Sequence, residues 1–145
     1  MKKYIKCNSA NGKELVTVNY GGDLCAVYKE QYEYGGYTAL FMWDMTTDEF
    51  WGDVSINLPG GYSLDPNEIF LQDFIDSKGV EYLKPILTVI DSVKYNYGTY
   101  KLAEIKPDVF KKLPNMEELE VLLQEHPEII EEAHAMADYD DEDEY

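Results

Sequence analysis

Four carboxylates close to the two tryptophans form the best candidate in this sequence for a catalytic group. They are Asp44, Asp48, Glu49 and Asp53. Paired carboxylates beside aromatic rings are typical of glycoside hydrolases, in which one acid protonates the leaving group and the other attacks the sugar or activates water. The same residues fit a polar loop between two strands, with Trp43 and Trp51 packed in the core. We favour the loop, because nothing else in the sequence suggests a sugar cleft, and keep a carboxylate-based hydrolase as the weakest of three hypotheses.

The sequence offers little support for a metal site or a nucleotide cofactor. His126 and His134 are eight residues apart, whereas two ligands on one helical turn are about four apart. Glu131 and His134 form one E-x-x-H pair, but a di-metal carboxylate site needs a second pair. The run "DYDDEDE" lacks the turn glycine of a calcium loop, and the Gly-Gly pairs belong to no phosphate-binding motif. We therefore predict no metal and no cofactor.

Candidate nucleophiles lack the neighbours that would activate them. Cys7 and Cys25 lie in apolar, strand-like surroundings, which favours buried free thiols over a disulfide. No serine lies in a G-x-S-x-G motif, and no histidine lies in the strand-rich part of the chain to act as a base. We predict that the chain has no catalytic residue and is not an enzyme.

Net charge is the strongest compositional signal. The chain has 29 acidic residues and 12 lysines, no arginine, and a formal charge of −17. Residues 1–112 carry 16 acids and all 12 lysines, whereas residues 113–145 carry 13 acids and no lysine. Proteins that grip phosphates usually present a basic face rich in arginine. Direct binding to nucleic acid is therefore disfavoured, and we expect a basic protein as the partner.

Length and charge distribution indicate one domain with an acidic end. A chain of 145 residues with 45% apolar content can bury a core without disulfides or metal. We predict an α+β body over residues 1–112, an acidic helical extension packed on the body over 113–137, and a disordered acidic tail over 138–145. No apolar run has the length of a signal peptide or of a membrane span, so we expect a cytoplasmic protein that does not enter a membrane.

Turn signals alternate with apolar runs in the body and predict a mainly antiparallel sheet of five to six strands. Asn11-Gly12 separates "YIKC" from "ELVTVNY", which is typical of a hairpin. Three Gly-Gly pairs bracket further strand-like segments as turns. The segment "YTALFMW" is apolar on both faces and should be central in the sheet. Residues Asp53 to Leu58 alternate as in a half-buried strand.

One short internal helix is predicted after these strands. Apolar residues recur at helical spacing from Val80 to Ile90, which places the helix near Gly79–Asp91. Pro85 lies in the middle of this segment and either interrupts the helix or separates it from a following strand. The tyrosine-rich segment "VKYNYGTYKLAEI" then returns to strand composition.

Acidic helices are predicted at the C-terminal end. Asn115 and Glu118 have the spacing of a helix cap, and an apolar stripe follows from Met116 to Leu123. Pro127 restarts the pattern as the first residue of a second helix. The carboxylates on the remaining faces are our predicted partner-binding residues: Glu117, Glu118, Glu120, Glu125, Glu128, Glu131 and Glu132.

Tyrosines provide an alternative interface. The chain has 13 tyrosines, and tyrosine is common both at binding surfaces and in strands. If the acidic residues only keep the protein soluble, an aromatic sheet face is the site for a protein partner or for a second copy of the chain. The residues predicted for this face are Tyr28, Tyr32, Tyr34, Tyr95 and Tyr97.

The order of segments from Trp51 to Tyr100 carries a resemblance to a known group. "WGDVSINLP", "IFLQDF", "GVEYLKP" and "YNYGTYKLAEI" follow one another there. This order resembles small acidic, largely uncharacterised proteins carried by phages and conjugative elements of gut bacteria, which show a T-V-N-L-like strand, a short strand, a helix and an aromatic final strand. The resemblance covers about a third of the chain and does not extend to the acidic segment after Lys112.

The resemblance implies a mobile-element protein that inhibits host defence, of the anti-CRISPR or anti-restriction type. A CRISPR effector or another defence nuclease binds nucleic acid in a groove lined with basic residues, and a folded polyanion can occupy that groove as DNA would. We rank this nucleic-acid mimic first, the aromatic interface second and the hydrolase third.

The acidic tail should be dispensable for folding, because it offers almost no apolar surface to bury. Truncation after Ala137 should leave the melting temperature within a few degrees, since about 1 kcal/mol corresponds to roughly 4 °C in a domain of this size. Thermal unfolding followed by circular dichroism measures the change, and a large loss would show that the tail docks on the body.

Overall fold

The computed structural model describes residues 4–6 (backbone only), 13–33, 35–58, 63–96, 98–125, 127–128 and 131. These residues form nine strands and three helices in an α+β arrangement. In chain order the elements are β1 Tyr4–Lys6, β2 Glu14–Tyr20, β3 Asp23–Gln31, β4 Thr38–Asp44, β5 Glu49–Asp53, β6 Ser55–Ile56, β7 Glu68–Leu71, α1 Ser77–Leu83, β8 Leu87–Tyr95, β9 Gly98–Ile105, α2 Pro107–Phe110 and α3 Met116–Glu125.

The described strands form two antiparallel sheets. The five-stranded sheet has the order β1-β2-β3-β4-β5, and the four-stranded sheet has the order β6-β7-β9-β8. The prediction of an α+β fold with antiparallel pairing is confirmed. The prediction of one sheet of five to six strands is wrong, because the chain passes from one sheet to the other between β5 and β6.

The passage between the sheets lies at Val54 and Ser55. The Val54 N–H donates to the carbonyl of Leu40 in the five-stranded sheet, and the Val54 carbonyl accepts from the N–H of Gln72, which follows β7. The Ser55 hydroxyl accepts from the Leu40 N–H at 2.8 Å. Backbone polar groups are therefore satisfied through the crossing although both residues are buried. Apolar residues at alternate positions continue across this passage, so the sequence pattern does not separate β5 from β6.

Several local predictions are confirmed by the pairing. β1 and β2 are antiparallel, with Lys6 opposite Glu14; the Asn11-Gly12 turn that was expected to join them lies outside the described residues. Gly21 and Gly22 join β2 to β3 with φ angles of 62° and 98°, the left-handed region that a two-residue type I′ turn requires. β4 lies between β3 and β5 and is central, as predicted.

The internal helix is shorter than the sequence predicts. α1 ends at Leu83, and β8 begins at Leu87, so the predicted helix over Gly79–Asp91 is wrong beyond Leu83. Pro85 separates helix from strand, because it has no N–H to donate to a continuing helix. The β-branched residues that follow it favour a strand. Asp76 caps the start of α1 by accepting from the Gly79 N–H at 2.9 Å.

The five-stranded sheet is covered on both faces. One face packs against the four-stranded sheet, α1 and the segment after β9; the other face packs against α3. The core between the sheets includes Val16, Val18, Cys25, Val27, Leu40, Met42, Ile69, Leu71, Ile75, Leu83, Ile86, Leu87 and Ile105. The core beneath α3 includes Leu15, Leu24, Ala26, Tyr28, Met45 and Leu119. Cys25 is a buried free thiol, as predicted; Cys7 lies outside the described residues.

The start of α3 is fixed by the chain before it and by its own cap. The Glu14 N–H donates to the Lys112 carbonyl, and the Lys29 N–H donates to the Pro114 carbonyl, each at 3.0 Å. Asn115 Oδ1 then accepts from the Glu118 N–H, and Glu118 Oε1 accepts from the Asn115 N–H. This is the capping box that the sequence predicts. For the second predicted helix, residues 127, 128 and 131 are helical, and the rest lies outside the described residues.

Replacement of Asn115 by Ala should destabilise the protein by about 1 kcal/mol, because it removes the side-chain acceptor of the capping box. The expected fall in melting temperature is roughly 4 °C. Asn115→Asp is the matched control, since aspartate caps as well as asparagine. Equal melting temperatures for the Ala and Asp variants would contradict a stabilising role for the cap.

Candidate functional site

The acidic face of α3 points outward because the opposite face is buried. Leu119 is buried against the five-stranded sheet, with Met116 and Leu123 packed beside it, and Leu122 is buried as well. At about 100° per residue, Glu117, Glu120 and Glu125 fall on the other side of the helix, and all three are exposed. A helix docked through its leucines thus presents these carboxylates at fixed spacing.

The other predicted partner-binding glutamates divide into three cases. Glu118 is half-buried and accepts the Asn115 N–H, so it stabilises the start of the helix. Glu128 and Glu131 are exposed. Glu132 lies outside the described residues. The structure therefore brings Glu117, Glu120 and Glu125 together on one helix and gives Glu118 a structural role.

Two carboxylates of this face have no cation beside them. Among the described residues, no lysine Nζ lies within 4 Å of Glu117 or Glu120. The described ion pairs join Lys84 to Glu81 at 2.8 Å and Lys112 to Glu14 at 3.4 Å. The negative charges of Glu117 and Glu120 are consequently left to solvent or to a partner.

Of the five tyrosines predicted as an alternative interface, the three that the structure describes do not form one exposed patch. Tyr28 is only 6% exposed and packs beneath α3; burial raises its pKa to about 12, with Glu30 and Asp53 adding to the effect. The Tyr32 hydroxyl forms a 2.7 Å hydrogen bond with the Ser55 hydroxyl at the passage between the sheets. Tyr95 is partly exposed on β8, in the other sheet. Tyr34 and Tyr97 lie outside the described residues.

A different set of aromatic side chains forms a continuous row that the sequence did not predict. The ring of Tyr20 lies 5.0 Å from Tyr82 and 4.8 Å from Trp51, and Trp51 lies 6.0 Å from Phe74. We call these four residues the aromatic row. Phe74 is 54% exposed, and the carboxylates of Asp73 and Asp76 flank it in the chain and are exposed. The row can offer aromatic and acidic groups to a basic partner, since cations are attracted to aromatic faces.

Close packing of α1 holds the row in place. A Cβ atom at Gly79 would collide with the Tyr20 hydroxyl and lie 3.2 Å from Ile75 Cγ2. Tyr20 can therefore lie against α1 only because residue 79 is glycine. Burial raises the pKa of Tyr20, and the charge of Asp76 adds to this shift.

The carboxylates near the tryptophans mainly organise the turn between β4 and β5. Asp44 is buried, and its Oδ1 accepts from the N–H groups of Thr46 and Thr47. Asp48 has a φ of 57° and accepts from Trp43 Nε1 at 3.1 Å. Glu49 and Asp53 are exposed. Asp44 ends β4, and Glu49 and Asp53 are the first and last residues of β5, so only Asp48 lies in the loop itself.

The described part of the chain gives no support for a nucleophilic thiol or for a metal site. Burial, together with the charges of Asp44 and Asp23, raises the pKa of the Cys25 thiol, which keeps it protonated and poorly nucleophilic. Across the described ranges, no three His, Cys, Asp or Glu side chains converge in a way that could hold a metal ion. His134, the partner of Glu131 in the E-x-x-H pair, lies outside these ranges. No described helix is long and apolar enough to cross a membrane.

Comparisons with protein-family models, with curated proteins and with solved structures each returned no match to this chain.

Replacement of Gly79 by Ala should test the packing of the aromatic row. Alanine normally stabilises a helix by up to about 1 kcal/mol relative to glycine. Here the methyl group must displace Tyr20, and we expect a net loss of about 1–3 kcal/mol, typical of overpacking. Urea unfolding of the variant measures the free energy of unfolding, and a stabilised variant would contradict the contact.

Tyr20→Phe provides the matched control, because it removes the hydroxyl that the new methyl group would meet. In the double variant, Gly79→Ala should cost less than it does alone, with a coupling of about 0.5–3 kcal/mol. Strict additivity would indicate that the cost of Gly79→Ala arises elsewhere.

Proposed function

We propose that this protein is a non-enzymatic acidic binding protein that inhibits a basic, nucleic-acid-handling partner by presenting a nucleic-acid-like negative surface. The observation that carries the proposal is α3: its apolar face is buried in the core, and its exposed face bears carboxylates without a neighbouring lysine at Glu117 and Glu120. Fixed negative charge on a folded support is what mimicry of a duplex requires.

The charge density of α3 supports this comparison. The helix has ten residues and is therefore roughly 15 Å long. Its exposed side carries Glu117, Glu120 and Glu125, about one negative charge per 5 Å. One strand of DNA carries a charge about every 3.4 Å, so the exposed side of the helix has about two thirds of the linear charge density of a single strand.

Conformational entropy favours the helix over the tail as the working part. Residues 138–145 hold six carboxylates, and their composition predicts a segment whose ordering on binding costs conformational entropy. The carboxylates of α3 are already ordered by the capping box and by the burial of Leu119 and Leu122. Pre-organised charges bind more tightly because this cost is absent.

A defence nuclease is the kind of partner that we propose. Its nucleic-acid groove is lined with lysine and arginine, and counterion release makes binding to such a groove strongly dependent on salt. The resemblance of residues 51–100 to small acidic proteins of phages and conjugative elements supports a partner of the CRISPR or restriction class. The charge supports the mechanism independently of that resemblance.

The aromatic row supports a second candidate, a protein-binding module in which the acidic residues of α3 only increase solubility. Phe74 is half exposed and is continuous with Trp51 and Tyr20. Exposed aromatic side chains are typical anchors of protein interfaces. Binding through this row should depend little on salt, which separates the two candidates.

Replacement of Glu117, Glu120, Glu125 and Glu128 by Gln should weaken partner binding more than removal of Asp138–Tyr145 does. The four residues are exposed, so their replacement should change stability little. Pull-down from host cells at about 50 mM and about 200 mM salt, a range over which phosphate-like contacts weaken steeply, measures the effect. The captured protein is then assayed for nucleic-acid binding with and without this protein.

The matched control neutralises four exposed carboxylates elsewhere: Glu33, Asp65, Asp91 and Asp108. It changes the net charge by the same amount and should bind like the parent. If both quadruple variants lose binding equally, net charge matters and the geometry of α3 does not. If the α3 variant binds as well as the parent, the mimic is wrong and Phe74→Ala becomes the variant to test.

A further inference from the structure

An open pocket of about 720 Å³ lies between the turn from β3 to β4, the end of α2 and the start of α3. Its volume falls in the range of about 300–1,000 Å³ found for small-ligand sites. Tyr37, Leu64, Pro66 and Phe110 contribute apolar surface to its lining. Lys13, Lys29, Glu30 and Glu118 contribute the charges. The lining is thus partly apolar and partly charged, as ligand sites are.

The two lysines of the pocket interact with carbonyls and have no described carboxylate beside them. Lys29 Nζ donates to the Phe110 carbonyl at 2.9 Å and lies 3.9 Å from the centre of the Phe110 ring. Lys13 Nζ donates to the Lys111 carbonyl at 3.3 Å. Among the described residues, no carboxylate oxygen lies within 4 Å of either nitrogen. Each ammonium group has three N–H donors, so both can bind a further acceptor.

The two carboxylates of the pocket are directed to the start of α3 instead. Glu30 Oε2 accepts from the Met116 N–H at 3.0 Å, and Glu118 Oε1 accepts from the Asn115 N–H at 2.9 Å. The positive end of the helix dipole compensates their charge. Lys29, in contrast, is partly buried beside another cation: burial and the charge of Lys13 lower its pKa, and Glu118 offsets this only in part. A bound anion would relieve the repulsion between the two lysines.

We propose that this pocket binds the carboxylate of an organic acid, with the anionic group between Lys13 and Lys29 and the apolar part against Phe110 and Leu64. A monoanion fits better than a phosphate dianion, because Glu30 and Glu118 also line the pocket and, at longer range, disfavour a second negative charge. The hydrogen bonds to carbonyls at the end of α2 use one N–H donor of each lysine. They do not account for a pocket of this size that is lined by both ammonium groups.

The carboxylate has two sources, an acid from solution or the acidic residues 138–145 of the chain itself. Both present the same chemistry to the lysines. This proposal does not rest on the proposed function, because it concerns Lys13 and Lys29 of the pocket and not the exposed glutamates of α3.

Titration of the full-length chain with benzoate, benzamide and inorganic phosphate, followed by NMR of the Lys29 side chain and the Phe110 ring, tests the site. Benzoate should shift both sets of signals with a dissociation constant on the order of 1 mM. Benzamide has the same shape without the charge and should bind at least about tenfold more weakly, as expected for loss of a charge-assisted hydrogen bond. Phosphate should also bind more weakly than benzoate.

Lys29→Gln and Lys13→Gln should each weaken benzoate binding about tenfold. Lys94→Gln, on the exposed strand β8, is the matched control and should have no effect. Lys13→Gln keeps the test valid if Lys29→Gln fails to fold, because the hydrogen bond of Lys13 to Lys111 is exposed, whereas that of Lys29 to Phe110 is partly buried. Equal binding of benzoate and benzamide, or equal effects of the Lys13 and Lys94 variants, would overturn the proposal.

A full-length variant with Asn or Gln at every acidic position of 138–145 identifies the source. Tighter benzoate binding to this variant than to the parent supports the site and shows that the tail competes for it. Equal binding supports the site and assigns it to an acid from solution. Absence of benzoate binding to this variant would overturn the proposal.

Discussion

Burial of the five-stranded sheet on both faces is the constraint on which the rest of this structure depends. β2, β3 and β4 carry apolar side chains on both sides, and each side must be removed from water. The four-stranded sheet covers one side and α3 covers the other. The passage at Val54 and Ser55 and the capping box at Asn115 follow from this requirement, because they bring the two covers into place.

The acidic helix is consequently part of the fold as well as a carrier of exposed carboxylates. Leu119 holds it on the core formed by Leu15, Ala26 and Tyr28. Its carboxylates are held at fixed positions by the same contacts that stabilise the protein. This coupling explains why charge on α3 can act as a pre-organised surface, and why Tyr28 is not free to serve as an interface.

Local features were predictable from the sequence, whereas contacts between distant segments were not. The central position of β4 follows from an apolar run on both faces, and the cap follows from the spacing of Asn115 and Glu118. The passage between the sheets was not predictable, because the alternation of apolar and polar residues continues through Val54. The aromatic row joins residues from β2, β5, the segment after β7 and α1. The pocket with Lys13 and Lys29 joins β3 to the end of α2. No local spacing relates these residues, so only the packed structure shows them.

The acidic residues of α3 affect two properties, the stability of the helix and the charge of its exposed side, and their positions along the helix distinguish the two effects. Acidic residues in the first turn, Glu117 and Glu118, favour the helix because they face the positive end of its dipole. Glu125 lies at the other end, where a carboxylate is unfavourable by about 0.3–1 kcal/mol and a lysine would stabilise, yet the last turn holds no basic residue. The helix dipole therefore accounts for the first acids but not for the last. The exposed carboxylate of Glu125 adds to the negative side of α3 at a small cost in helix–dipole energy.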